Sequence, residues 1–164
     1  MEQDEQIQRL LGLLARLAAA PVRLAAALSR MEDADSVMGG VPGEWSPTEV
    51  LAHMRASQDI LEPRILQILV RDNPPLSAFD DRRWEEVSHY AAAPIIDSLE
   101  TLRLRRTDLL RALRAIPASA WERTGTHEAR GAQSILQIAT YIADHDDEHI
   151  AQIESYGAQR VGRI

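Results

Sequence analysis

Two histidines four residues apart, near the C-terminal end of the chain, have a type and spacing that could do chemistry. His145 and His149 lie in the run SILQIATYIADHDDEHIAQIESY, residues 134–156, which has the periodicity of one long helix. Four residues advance a helix by ~6 Å and leave side chains ~40° apart, so both imidazoles point the same way. They continue an apolar stripe made of Ile135, Ile138, Ile142 and Ile153. Such a pair favours a metal site whose remaining ligand comes from elsewhere.

A third histidine stands on a second amphipathic helix. Ser46–Glu49 has serine at the cap, proline at the first helical position and glutamate at the third, which predicts a helix running to about Val70. His53 lies about two turns into that helix, beside its core face. If the two helices are neighbours, three imidazoles could meet and bind a divalent first-row ion with positions left open. The alternative is three independent core or surface histidines.

Acidic residues lie before and between the two histidines of the last helix. They would favour a cation and could orient imidazole N–H groups, although some are expected to form a solvated face. These residues are Asp144, Asp146, Asp147 and Glu148.

Other catalytic patterns fit the sequence less well. A zincin needs H-E-x-x-H, whereas His145 is followed by Asp146. A di-iron site needs two acid-x-x-His pairs, and the second such pair, Glu86 and His89, falls in a short crossover. Glu49, the other carboxylate that a di-iron site could use, is expected to complete the helix cap instead. No nucleophile elbow for Ser/His/Asp chemistry and no glycine-rich phosphate loop is visible.

The elements that must position these residues are four long helices. We predict them at about 3–31, 46–70, 94–116 and 134–156. Pro21 predicts a kink or a restart in the first, and Pro63 a bend in the second. A loop over 32–45 follows the first helix, and a crossover with one short helix follows the second. The arginines between 103 and 114 are expected to form mostly a solvated face, and the Gly- and Thr-rich segment 118–133 is expected to be a non-helical linker.

Composition agrees with a helical bundle and excludes some functions. The 164 residues are 45% hydrophobic and 4% aromatic, which suits one domain, residues 1–164. The net charge of -7 without a dense basic stripe argues against nucleic acid as a partner. No cysteine is present, so any thiol chemistry must arrive with a substrate. An acidic, polar N-terminus without a run of ~18 apolar residues predicts no membrane association and a cytoplasmic protein.

Four stretches together resemble the DinB/YfiT-like superfamily. They are Trp45–His53, Phe79–Trp84, Arg123–Gly131 and His145–Ile153. The resemblance spans nearly the whole chain and implies an all-α, up-down-down-up four-helix bundle with two longer crossover connections, commonly a homodimer. It also implies a three-histidine site for zinc, nickel or a similar divalent metal ion, with His53, His145 and His149 as ligands. His127 matches a loop histidine that is not carried over as a ligand.

The same resemblance implies an activity. Relatives of this kind are metal-dependent S-transferases or isomerases that use bacillithiol, mycothiol or glutathione. We therefore expect a transferase whose partners are a low-molecular-weight thiol and a small electrophilic substrate, with no catalytic residue named beyond the metal site. Two alternatives stay open: a non-catalytic metal-binding dimeric bundle, and a metallohydrolase that uses metal-bound water.

Overall fold

Five α-helices and one small sheet make up the part of the chain that the structure, a computed structural model, describes, residues 2–31 and 45–161. In chain order the helices are α1 (Glu2–Leu28), α2 (Pro47–Val70), α3 (Asp81–Ser88), α4 (Ile95–Ala115) and α5 (Ile135–Val161). The strands are β1 (Pro75–Leu76), β2 (Thr124–His127) and β3 (Gly131–Ser134). Short 3-10 turns occupy Tyr90–Ala92 and Ala118–Glu122. The predicted loop over 32–45 lies outside the described residues except for Trp45.

Two apolar clusters fix the direction of each long helix. One cluster joins the N-terminal halves of α1 and α5 to the C-terminal halves of α2 and α4. The other joins the opposite halves of the same four helices. Helices α1 and α5 therefore run one way and α2 and α4 the other, the predicted up-down-down-up bundle. Helix α5 packs against both α1 and α2, which brings the second and fourth long helices side by side.

Helix α1 passes through Pro21 as one continuous helix, so the predicted restart is wrong, while a kink at this residue stays a prediction. Proline has no backbone N–H, and this leaves the carbonyl four residues earlier, Leu17, without its helical donor. The Arg106 guanidinium of α4 supplies a donor instead, with Nη1 3.2 Å from the Leu17 oxygen. Among the described helices, only the segment Asp4–Leu28 is long and apolar enough to cross a membrane. Core helices of soluble bundles also reach that length and apolarity. Here Leu17 and Leu24 are fully buried in the bundle.

Both helices that carry the histidines begin at capping boxes, as predicted. Ser46 Oγ accepts the Glu49 N–H at 3.3 Å, and the Glu49 carboxylate accepts the Ser46 N–H at 2.7 Å. At α5, Ser134 and Gln137 exchange the equivalent two hydrogen bonds at 2.9 and 3.1 Å. These contacts fix where each helix starts, and hence the level of each histidine along the bundle.

The segment predicted as a linker before α5 contains a β-hairpin. Strand β2 pairs antiparallel with β3 and parallel with β1, giving the order β1-β2-β3. Gly125 is required here because a Cβ would lie 2.9 Å from both the Pro74 oxygen and the Leu76 side chain. Short strands paired across distant parts of the chain carry little sequence periodicity, which explains why the hairpin was not predicted.

Candidate metal centre

His53, His145 and His149 lie at the same level of the bundle, on the facing surfaces of α2 and α5. His53 and His149 are buried, and His145 is half-buried. The Nε2 atom of His145 lies 3.0 Å from that of His53 and 3.2 Å from that of His149. One nitrogen from each ring falls within 4.8 Å of the other two. The structure thus brings together the three residues that the sequence singled out; that they bind a metal ion stays a prediction.

The spacing of the three nitrogens suits a divalent ion. Imidazole nitrogens bind zinc at about 2.0–2.1 Å, which sets neighbouring ligands about 2.9–3.4 Å apart in octahedral to tetrahedral geometry. The two separations that involve His145 fall within that interval. Hydrogen bonding alone accounts poorly for the cluster, because the His145 Nε2 carries either one hydrogen or one lone pair and cannot make a full hydrogen bond to both neighbouring nitrogens. The donor set and its spacing therefore fit a metal ion.

A chain of hydrogen bonds fixes the tautomer of His149. The Tyr156 hydroxyl donates to the Trp45 carbonyl, which can only accept. The Tyr156 oxygen then accepts from Gln152 Nε2 at 3.3 Å, so Gln152 Oε1 faces His149 Nδ1 at 3.1 Å. Nδ1 must carry the proton, and the Nε2 lone pair points into the cluster. An imidazole oriented this way is prepared to bind a metal ion.

Aromatic rings cover the cluster on two sides. Trp45 packs on the core, and its ring centroid also lies 4.9 Å from that of His53 and 6.4 Å from that of His149. Tyr141, one turn before His145, stacks on that imidazole with centroids 5.9 Å apart. These rings reduce the access of water to the nitrogens. Because Tyr141 lies four residues before His145 on the same helix, sequence spacing alone could have indicated that its ring lies beside the site.

The imidazole of His145 is held in its neutral form. Burial, followed by the neighbouring His149 and His53, lowers the pKa of His145 to about 3. A neutral imidazole keeps the lone pair that a metal ion requires.

The aspartates of α5 do not contact the imidazoles, contrary to one expectation. Asp144 and Asp147 both pair with Arg16 of α1. Arg23 also donates to Asp147. These half-exposed ion pairs tie α1 to α5, and the acceptor that orients an imidazole is Gln152 instead.

A buried ion pair lies next to the histidines and was not predicted. Arg106 of α4, expected on a solvated face, is 2% exposed and donates through Nη1 to Asp146, which is 3% exposed. Burial raises the pKa of Asp146, and the charge and hydrogen bond of Arg106 oppose that rise. Arginine in an exposed helical run gives no sequence signal of burial, because the rotation of the helix decides which arginine turns inward. The neighbouring Arg103 and Arg111 are exposed, as predicted.

Helix α2 also carries a buried carboxyl group that the sequence did not reveal. Glu62 is 6% exposed, and its Oε1 accepts from Gln58 Nε2 at 2.5 Å. Burial raises the pKa of Glu62 to about 7, while the Gln58 hydrogen bond and the Arg106 charge act the other way. Arg105 Nε lies 3.5 Å from Glu62 Oε2, long for an ion pair, so burial dominates.

The remaining candidate residues lie away from the cluster. Glu86 is exposed on α3, and His89 has a positive φ of 54° at the end of that helix. This acid-x-x-His pair therefore does not supply the second half of a di-iron site. His127 lies on β2, where its Nε2 is 3.2 Å from Arg64.

The family model of the DinB superfamily matches residues 3–153 of this sequence. The chain belongs to the DinB superfamily. YfiT from Bacillus subtilis, described as a probable metal-dependent hydrolase with an unusual four-helix bundle topology, superposes with a TM-score of 0.85. That likeness covers 94% of this chain and 89% of YfiT at 20% identity, and it shows the fold.

A curated relative in Oceanobacillus iheyensis, provisionally named a metal-dependent hydrolase, is 27% identical over 113 residues. The match covers 69% of this DinB-superfamily chain and 65% of the relative, slightly under two thirds of its length. The fold and family expected from the sequence are therefore confirmed. The three-histidine cluster of the structure agrees with metal-dependent relatives.

Proposed function

We propose that this protein is a metal-dependent transferase that binds a low-molecular-weight thiol at the cluster of His53, His145 and His149 as a thiolate, which attacks a small electrophile and displaces its leaving group. The observation that carries the proposal is the convergence of three imidazoles, a ligand set that leaves coordination positions open. A divalent ion held there would lower the pKa of a thiol that reaches it. Because the chain has no cysteine, the thiol must come from a second molecule.

The carboxylates near the cluster favour a reaction that needs no base from the protein. The three aspartates between residues 144 and 147 are each paired with an arginine. Glu49 accepts hydrogen bonds from both Ser46 groups in the cap of α2. Each of these acids is therefore already engaged by an arginine or by the helix cap. A thiol loses its proton far more readily than water, so thiol transfer suits this site better than hydrolysis.

A metal-dependent hydrolase is the second candidate. It is favoured by the names of YfiT and of the Oceanobacillus relative, both of which refer to hydrolysis. In that reaction water, rather than a thiol, would be activated at the same histidines.

We expect zinc or nickel as the ion, since imidazole nitrogens suit both. A homodimer remains a prediction from the resemblance, and a cytoplasmic location remains a prediction from the sequence. Elemental analysis of the purified protein would identify the ion.

The two functions are separated by one pair of assays on metal-loaded protein. Conjugation of a chlorodinitrobenzene with bacillithiol, mycothiol or glutathione is followed by absorbance, and hydrolysis of a nitrophenyl ester is followed without thiol. Thiol-dependent conjugation that is lost in His145→Ala supports the transferase. Ester hydrolysis that needs no thiol, with no conjugation, would establish the hydrolase instead.

A matched control is His89→Ala, which removes a histidine that lies outside the cluster. It should leave conjugation unchanged. A loss of activity in His89→Ala equal to that in His145→Ala would show that the assay reports folding rather than the cluster.

A further inference from the structure

A cavity of about 240 Å³ lies between α2, the β-hairpin and α5. Its polar and aromatic lining comes from Ser57, Arg64, Phe79, His127, Arg130 and Tyr141. The protein as a whole is acidic, yet this lining carries two guanidinium groups and no carboxylate. A cavity of opposite charge to the protein around it is suited to an anion.

The two arginines have no carboxylate partner in the part of the chain that the structure describes. Arg64 is 7% exposed and donates through Nη2 to the Ser77 carbonyl at 2.6 Å, while its buried Nε–H has no hydrogen-bond partner there. Arg130 is exposed and lies over the Tyr141 ring. The nearby acid, Glu128, accepts the Ala78 N–H rather than pairing with either arginine. A buried guanidinium without a counter-ion carries an uncompensated desolvation cost.

The hydrogen bonds around His127 have one donor too many. The Ala129 N–H points at His127 Nδ1 at 3.1 Å, and Arg64 Nη2 points at His127 Nε2 at 3.2 Å. Burial, Arg64 and Arg130 lower the pKa of His127, so the ring is neutral and has one lone pair for these two donors. Together with the unused Arg64 Nε–H, this leaves the site short of acceptors. An anionic oxygen would supply them.

The cavity adjoins the histidine cluster. Tyr141 lines the cavity and also stacks on His145. Ser57, four residues after His53, lies on the same face of α2 and also lines the cavity. A molecule that reaches the histidines can therefore extend towards Arg64.

We propose that this cavity is the subsite for a carboxylate group of the substrate or thiol, bound by Arg64 and Arg130. The carboxylate accepts from the guanidinium groups of Arg64 and Arg130, relieves the excess of donors at His127 and holds the molecule with its reactive end at the histidines. The inference rests on the proposed function in one respect, since it assumes that the reacting molecule binds at the histidine cluster.

The first test uses metal-free protein, so that it reports on the cavity alone. Butyrate and butyramide have the same shape and differ in charge, and each is titrated while the Arg64 Nε–H resonance is followed by NMR. The resonance is assigned by its loss in Arg64→Lys. Butyrate should shift it at concentrations where butyramide does not. An equal response to both compounds would overturn the carboxylate site.

The second test uses zinc-loaded protein with mercaptopropionate and its amide. The carboxylate compound should bind more tightly by about tenfold or more, the ratio expected for a charge-assisted hydrogen bond. Arg130→Met, which changes an exposed residue and should fold normally, should reduce that ratio. The charge-matched control Arg111→Met, on an exposed arginine paired with Asp108, should leave it unchanged. A ratio near one in the wild-type protein would refute the subsite.

The two tests separate this inference from the proposed function. If mercaptopropionate binds no better with zinc than without it, while the preference for carboxylate persists, the thiol hypothesis fails and the subsite stands. If thiol binding depends on zinc but the acid and the amide bind equally, the subsite fails and the thiol hypothesis stands. Arg64→Met, should it fold, must abolish the preference; a preference that survives in it would count against the role of Arg64.

Discussion

Gln152 should control metal affinity although its side chain is not aimed at the centre of the cluster. It accepts the Nδ1–H of His149 at 3.1 Å, and this contact selects the tautomer with a free Nε2 lone pair. Gln152→Leu keeps a side chain of similar size and removes the acceptor. Losing such a partner of a ligating histidine typically weakens metal binding by about 10–100-fold, or roughly 1.4–2.7 kcal/mol.

The assay is a titration of metal-free protein with zinc in competition with a chromophoric chelator. Gln152→Glu retains an acceptor for the imidazole N–H and should restore affinity, whereas Gln152→Leu should not. Gln67→Leu, at an exposed position of α2, is the matched control and should bind zinc as the wild type does.

Unfolding of the metal-free variants by urea distinguishes this role from a structural one. Loss of the Gln152 hydrogen bonds should cost about 0.5–1.5 kcal/mol of folding free energy per bond in the metal-free protein. Unchanged zinc affinity in Gln152→Leu would refute the argument that this residue sets the tautomer. Equal weakening in Gln152→Glu and Gln152→Leu would refute it as well.

Other predictions concern the third ligand and the buried charges. His53→Ala should abolish zinc binding in calorimetry, because two nitrogens from one helix rarely suffice. Arg106→Leu should lower the free energy of unfolding by about 3–5 kcal/mol in urea titrations, since Asp146 would remain buried without a partner, and replacing both residues by leucine should recover part of that loss. Because burial raises the pKa of Glu62 from 4.5 to about 7, its carboxyl is protonated in the folded chain and ionised in the unfolded chain between those values. The contribution of Glu62 to stability should therefore fall by up to ~3 kcal/mol as the pH rises through that window, while the lowered pKa of His145 changes stability in the opposite direction in both the wild type and Glu62→Gln. The wild type should thus lose about that much stability relative to Glu62→Gln, and parallel pH profiles of the two proteins would contradict the argument.

Local signals in the sequence determined the long helices and where they begin. The boxes at Ser46 and Ser134 act through hydrogen bonds within four residues, so they can be recognised without knowledge of the fold. The stripe that carries His145 and His149 depends only on helical periodicity, which places both rings on one face. The same periodicity identified His53 as a candidate for the third ring, and the family resemblance supplied the topology that makes the two helices neighbours.

The contacts between distant parts of the chain were decided by the tertiary structure. Gln152 lies one turn after His149, so its position was visible in the spacing, but its orientation depends on Tyr156 and on the Trp45 carbonyl from another part of the chain. Arg106 differs from the exposed arginines beside it only in facing α1 and α5, where it meets both Asp146 and the carbonyl left free by proline.

The cavity at Arg64 exists because the β-hairpin packs against α2. Short strands that contain Gly and Thr have no sequence pattern from which this contact could be predicted. Local patterns thus determined which residues could form a site, because helical periodicity and capping act over a few residues. Only the packing of the helices decided which polar groups are buried and paired, since burial depends on the rotation of each helix against its neighbours.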